Sequence, residues 1–371
     1  MQGKNRTNTY QEDLQTLLNQ DLPWEKLEGK TVMISGATGM IGKCIVDLLM
    51  LRNEQMGKQS DDAQAHAPAE DRQLIRVTAL SRNEQRARDR FGDYWNMDTF
   101  QYISCDINEG IPECGHVDYI IHAASNTHPL QYSKDPIGTI NSNIIGTKNL
   151  LDYALSHQTE RFCFVSSVEI YGENRGDTER FDENYLGYIN CNTLRAGYPE
   201  GKRVGETLCN AYRQTYQLDF VIPRLSRVYG PTMLATDSKA IAQFIKKAAA
   251  GENIILKSAG TQLYSYTYAP DAAMGILAVL LKGKTGEAYN ISDNASEVTL
   301  KQITEYLAED NGMQVVFDIP DSTEQKGYST ATKALLDTEK IETLGWKPQT
   351  HMREGLRKTV QELVSASESL H

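Results

Sequence analysis

Residues 31–51, Thr31-Val-Met-Ile-Ser-Gly36-Ala-Thr-Gly39-Met-Ile-Gly42-Lys-Cys44-Ile-Val-Asp-Leu-Leu-Met-Leu51, decide the fold. The run Thr31–Ser35 reads as a buried strand, and Cys44 to Leu51 as an apolar helix. Three glycines lie between them. Gly36 permits a sharp turn, Gly39 lets a backbone approach a ligand closely, and Gly42 allows tight helix–strand packing. Thr38, Met40 and Ile41 complete the turn. Its helix N-terminus faces whatever anion binds there, so the expected occupant is the pyrophosphate of a dinucleotide. The spacing is G-x-x-G-x-x-G rather than G-x-G-x-x-G.

Outward from this turn, strand-like and helix-like segments alternate. Strands are predicted at Ile75–Leu80, Gln101–Ser104, Val117–His122, Arg161–Ser166 and Asp219–Pro223. Helices are predicted at Asn141–Ser156, Pro199–Tyr216 and Lys239–Ala250. The alternation implies an α/β protein with a Rossmann-type, doubly wound parallel sheet. A smaller C-terminal lobe is expected over the carboxyl edge, where ligands bind in such sheets. The expected divisions are a polar extension over 1–28, a dinucleotide-binding domain over 29–228 and a substrate-binding lobe over 229–371. That lobe returns one strand, near 286–292, to the sheet. Leu14, Leu17 and Leu18 share a helical spacing within the extension, which suggests one short amphipathic helix docking on the body, and a mobile surface insertion is expected over 53–72.

Composition narrows the function. The chain has 371 residues, 40% hydrophobic and 23% charged, with a formal net charge of −11. No basic run offers a footprint for nucleic acid or an anionic membrane, which leaves room only for a local basic pocket. Six scattered cysteines, without a Cys-x-x-Cys pair or metal-ligand spacing, point to free thiols and no metal site. The longest apolar stretch, Ala272 to Leu281, is too short to span a bilayer. The N-terminus lacks an apolar signal core. A cytoplasmic protein is expected.

Two further stretches carry chemistry. Tyr198-Pro-Glu-Gly-Lys202 sets a phenol and an ammonium four residues apart on one helix face. A neighbouring cation lowers a phenol's pKa, so that it can take a proton from a sugar hydroxyl. Pro199 requires the helix to begin here. Ser166-Ser167-Val168-Glu169-Ile-Tyr-Gly172 ends the fifth strand, and period-two alternation puts Ser167 and Glu169 on one face. At the end of the second strand, Leu80-Ser-Arg82-Asn has no acid for the ribose of NAD. Arg82 there suits the 2′-phosphate of NADP.

Together these motifs resemble the extended short-chain dehydrogenase/reductase family of NAD(P)-dependent nucleotide-sugar epimerases, dehydratases and decarboxylases, over roughly residues 30 to 365. The resemblance extends to Cys105-Asp106-Ile107, matching an adenine-contacting acid, and to His122-Ala123-Ala124-Ser125, matching a segment that lines the cofactor. It also covers Asn143-Ile-Ile-Gly-Thr147, Arg224-Leu-Ser-Arg227-Val-Tyr-Gly-Pro231 and Leu336-Asp-Thr-Glu-Lys with Leu344-Gly-Trp-Lys-Pro348. Gly187-Tyr-Ile-Asn190 followed by Tyr198-x-Glu-Gly-Lys-Arg is most similar to the UDP-glucuronate decarboxylase branch. The resemblance implies Tyr198 as base with Lys202 beneath it, assistance from Ser167 and Glu169, bound NAD, a nucleotide-diphosphate sugar substrate reacting through a 4-keto intermediate, and a homodimer.

Departures matter as well. Val168 stands where 4,6-dehydratases carry an acid. Tyr264 replaces a family Arg that manages substrate charge in decarboxylases. Arg227 replaces a common Asn and is a candidate to supply positive charge to the diphosphate. The alternatives are a UDP-glucose 4-epimerase-like enzyme, a 4,6-dehydratase or 4-reductase, and a nucleotide-sensing regulatory protein without catalysis.

Overall fold

A computed structural model describes residues 9–63, 73–127, 134–318 and 332–368. The strands are β1 (Thr31–Ser35), β2 (Arg76–Ser81), β3 (Phe100–Ser104), β4 (Tyr119–His122), β5 (Arg161–Phe164), β6 (Ser166–Ser167) and β7 (Phe220–Leu225), then β8 (Arg227–Tyr229), β9 (Ile254–Leu256), β10 (Leu263–Tyr268), β11 (Ala288–Ile291), β12 (Asp293–Thr299), β13 (Val315–Phe317) and β14 (Lys333–Ala334). The helices that matter below are α1 (Thr9–Leu17), α2 (Met40–Ala63), α3 (Glu84–Phe91), α4 (Pro136–Ser156), α5 (Gly197–Tyr216), α6 (Ala240–Ala249), α7 (Ala269–Lys282), α8 (Leu300–Asn311) and α9 (Met352–Glu368).

The main sheet runs β11-β7-β5-β4-β1-β2-β3, with β6 also on β7, and its ladders are parallel. The order reverses direction between β1 and β4, the switch point at which a doubly wound sheet opens a crevice. Alternation along each strand feeds two separate cores. Val32, Ile34, Ile121, Cys163 and Val221 pack with α1, α2 and α7. Met33, Ile120, Phe162, Phe164, Phe220 and Ile222 pack with α4 and α5. Helices therefore cover both faces.

A third core lies in the C-terminal lobe, under α6, α8, α9 and the small sheet β12-β10-β14. β8 pairs with β10 in parallel and so ties that lobe to the end of β7. β11 crosses back to pair with β7.

The stretch expected as a mobile insertion over 53–72 begins instead as helix, since α2 runs on to Ala63. Asn53 anchors it, donating to the Ile75 carbonyl at 2.8 Å and accepting from the Ile75 N–H at 2.9 Å. The remainder, 64–72, lies outside the described residues. The N-terminal helix α1 docks on the body, as the spacing of its leucines suggested. Leu14, Leu17 and Leu18 are buried, and Tyr10 donates its hydroxyl to Asp47 of α2 at 2.6 Å. Asp13 bridges Tyr268 of β10 at 2.9 Å and Lys358 of α9 at 2.6 Å.

Candidate active site

The glycine turn leaves β1 at the switch point. Gly36 has φ +72°, and a Cβ there would lie 2.7 Å from the backbone of Ala124. A Cβ on Gly42 would sit 2.4 Å from the Gly36 carbonyl, so α2 touches the turn directly. At Gly39 the added atom would meet only the Gly36 carbonyl, at 3.1 Å, and otherwise open space. That opening at the head of α2 is a cradle for an anion. Thr38 is buried, while Met40 and Ile41 pack partly against the core.

The residues expected along the rest of the cofactor cleft converge in part. Ala123 donates its N–H to the Ser35 carbonyl at 3.1 Å, and Ala124 to the Ser35 hydroxyl at 3.4 Å. Ser125 donates its hydroxyl to Asn143 Oδ1 at 3.0 Å. A Cβ on Gly201 of α5 would lie 2.9 Å from the Asn143 Cβ, so this asparagine joins the β4 edge to the helix bearing Tyr198. Arg82 lies 3.9 Å from Asp106 and is exposed, while Ile107 is buried. His122 is fully buried between the hydroxyls of Ser35 at 2.7 Å and Thr147 at 3.0 Å. Burial, and then the Lys202 charge, hold its imidazole well below the ordinary range.

A 3-10 turn over Leu194–Ala196 leads into α5, whose first turn accommodates Pro199. Tyr198 and Lys202 are both buried on its inner face. β6 ends at Ser167, and Val168–Tyr171 form a 3-10 turn capped by the Ser167 hydroxyl, which accepts the Glu169 N–H at 3.3 Å. Strand alternation therefore stops at Ser167, two residues earlier than the pattern implied. Val168 is nevertheless buried, while Glu169 is partly exposed. Behind the site, Ser166 donates to Glu206 at 2.6 Å, and Glu206 takes a two-pronged pair from Arg224 at 3.0 and 2.7 Å.

The electrostatics differ from the sequence expectation. Burial raises the Tyr198 phenol well above its usual range, the Ser167 hydroxyl bonded to it pulls the other way, and the Glu169 charge adds to the rise. Lys202 is bonded to the backbone between β5 and β6. Its Nζ donates to the Val165 carbonyl at 2.8 Å and lies 4.7 Å from the Phe164 ring centre. Burial lowers this ammonium to about 7 against the opposing charges of Glu206 and Cys209.

Glu169 is held by two arginines. Arg195 reaches Oε2 and Arg227 reaches Oε1, each at 3.4 Å. Burial raises its carboxyl, but Arg227 and Arg195 together outweigh that and leave it below the ordinary range. Arg227 also stacks on the buried Tyr264 ring, its guanidinium carbon 3.5 Å from the centroid, so the two candidate substrate residues do meet. Sequence reasoning missed Arg195. Its signal is a place three residues before Tyr198, one helical turn away.

Among the described residues, no cluster of His, Cys, Asp or Glu is arranged to hold a metal ion, and no helix is long and apolar enough to cross a membrane.

The chain is similar to known proteins along most of its length. Residues 32–292 match the NAD dependent epimerase/dehydratase family. The chain is 30% identical over 329 residues to UDP-glucuronic acid decarboxylase 6 of Arabidopsis thaliana, covering 88% of this chain and 86% of that protein. It superposes on a dTDP-glucose 4,6-dehydratase from Streptomyces venezuelae, crystallised with NAD, at TM-score 0.74 and 25% identity, covering 91% and 98% of the two chains. A UDP-glucuronic acid 4-epimerase from Bacillus cereus shares the fold at TM-score 0.71 and 20% identity, covering 92% of this chain and all of that one. With its glycine turn at the sheet's switch point and a Tyr–Lys helix alongside, this chain belongs to the NAD-dependent epimerase/dehydratase family.

Proposed function

We propose that the protein is a UDP-glucuronate decarboxylase-like enzyme, acting on a nucleotide sugar through a transient 4-keto intermediate with NAD recycled in place. The observation that carries this reading is the Ser167–Tyr198 hydrogen bond with Glu169 beside it, at the edge where the glycine turn opens. The residues fit a dinucleotide, because the open cradle at Gly39 and the head of α2 can take the pyrophosphate. When bound, NAD supplies a reversible two-electron acceptor beside the sugar. NAD is preferred over NADP because Arg82 is turned toward Asp106 and NAD is what the dehydratase relative was crystallised with.

Ser167 bridges the C4 hydroxyl and the phenol, and Tyr198 takes the hydroxyl proton in its deprotonated form, which the positive charge of a bound NAD ring would favour against the burial that raises the phenol. Lys202, buried beneath the cleft against Val165, fixes the pitch of α5 and so the place of Tyr198. Oxidation at C4 acidifies the adjacent carbon, and Glu169 is the acid or base for the second step. The buried aliphatic Val168 cannot protonate a leaving hydroxyl, which argues against dehydration. Inversion at a stereocentre instead of carboxylate loss is the second reading, favoured by Tyr264 in place of an Arg. A homodimer would use α4 and α5, which expose Ile137, Ile140, Ile145, Leu155, Val204 and Tyr216. The cytoplasm suits six free cysteines.

The test is to release the cofactor that co-purifies, then incubate the protein with UDP-, dTDP-, CDP- and GDP-sugars and weigh the products. Loss of carbon dioxide from UDP-glucuronate supports the reading. An unchanged mass with an altered stereocentre transfers it to epimerisation, and loss of water refutes both.

A further inference from the structure

Elsewhere in this chain, arginine and carboxylate close into tight forks. Arg224 meets both oxygens of Glu206 at 3.0 and 2.7 Å, and Arg180 likewise meets both oxygens of Glu297. Such two-pronged geometry is what a guanidinium offers a carboxylate. Glu169 is treated differently. Each of its oxygens faces a different arginine through one nitrogen at 3.4 Å, longer than a charge-assisted bond settles at. Two cations thus share one anion, and the field of Lys239 reaches the same carboxylate. In a chain of net charge −11, this is a local excess of positive charge in a cleft.

Both arginines remain reachable, with Arg195 41% and Arg227 22% exposed in the side chain. Stacking on Tyr264 fixes the plane of the Arg227 guanidinium while leaving its N–H edge available. The location decides which anion they await. Arg195 precedes Tyr198 by one turn, and Glu169 lies close enough to act on the Tyr198 phenol. An anion held here belongs to the reacting sugar, not to a diphosphate farther along the ligand.

We propose that Arg195 and Arg227 form the recognition site for the carboxylate of a nucleotide-linked uronic acid, and that Glu169 occupies this site as an internal stand-in until substrate displaces it. The proposal rests on the nucleotide-sugar reading above and adds the residues that select an acidic sugar over a neutral one. It also couples recognition to chemistry: once the arginines turn to the substrate, Glu169 is released from both guanidinium groups and regains the basicity they suppress.

The test compares binding of UDP-glucuronate and UDP-glucose to the full-length, NAD-loaded protein by calorimetry. The wild type is expected to favour UDP-glucuronate. Arg195→Gln should weaken UDP-glucuronate about 10- to 100-fold, the worth of one charge-assisted contact, with UDP-glucose unchanged, and Arg195→Lys should recover part of the loss. Glu169→Gln should bind UDP-glucuronate more tightly than the wild type, because the internal competitor is neutralised, while UDP-glucose binding stays level. An arginine that merely braced Glu169 would not give that gain. Equal weakening of both ligands by Arg195→Gln, or weaker UDP-glucuronate binding by Glu169→Gln, overturns the proposal. Binding of both sugars without preference overturns it while leaving the nucleotide-sugar reading in place, and binding of neither removes both.

Discussion

Glu206→Ala probes the scaffold on which Tyr198 and Lys202 sit. The Glu206 and Arg224 side chains are only 11% and 12% exposed, and the pair joins α5 to β7. Glu206 also receives the Ser166 hydroxyl at 2.6 Å. Arg224 continues the network to the Tyr171 hydroxyl at 3.0 Å and the Glu183 carbonyl at 2.7 Å. Removing the glutamate strands a guanidinium among neutral acceptors, a change that costs about 3–5 kcal/mol. For a chain of this length that corresponds to a fall in Tm of roughly 4–7 °C. Urea or thermal unfolding of Glu206→Ala, Arg224→Met and the double variant measures it. Because the stranded charge is the source of the loss, the double variant should be distinctly more stable than the sum of the singles predicts. A loss below about 1 kcal/mol for Glu206→Ala, or strict additivity in the cycle, would refute this account.

Four other outcomes follow from the structure. Tyr198→Phe should abolish turnover while cofactor remains bound, as checked by extraction of the purified protein, and normal activity would remove Tyr198 from the mechanism. Gly36→Ala places a methyl 2.7 Å from the Ala124 backbone at φ +72°, so the protein should purify without cofactor. Lys202→Met concerns pH. Burial depresses the folded-state pKa of Lys202 to about 7, below its unfolded value near ~10.4, so the folded chain carries a penalty that is full below pH 7 and fades as pH rises from there. The stability of Lys202→Met relative to wild type should therefore be greatest at pH 6 and decline through pH 7–10, whereas a constant difference would exclude a depressed lysine. Asp13→Ala loses contacts to both Tyr268 and Lys358 and should destabilise the chain by about 1.5–3 kcal/mol in denaturant unfolding.

What the residues alone determined is local in origin. Glycine spacing, apolar runs and the four-residue Tyr–Lys interval each reflect backbone sterics or helix and strand periodicity within a few positions. They located the turn between β1 and α2, the α/β alternation and the helix carrying Tyr198. They failed where local pattern is silent. The polar composition of 53–63 gave no sign that α2 continues, because the tie at Asn53 is made to Ile75, 22 residues away. The leader's three leucines showed a helix, but not that Asp13 would find Lys358 at a separation of 345.

Only the tertiary structure decided the charge logic of the cleft. Arg195 and Arg227 lie 26 and 58 residues from Glu169 and reach it because the loop before α5 and the crossing from β7 to β8 end at the same sheet edge. The sequence motif pointed to Lys202 as the neighbour that acts on the phenol, whereas in the structure the Ser167 hydroxyl is the group bonded to it. Packing of α5 against β5 directs Lys202 to the Val165 carbonyl and leaves Ser167 at Tyr198. Burial and charge pairing depend on what the chain brings into contact, and no spacing along the sequence encodes them.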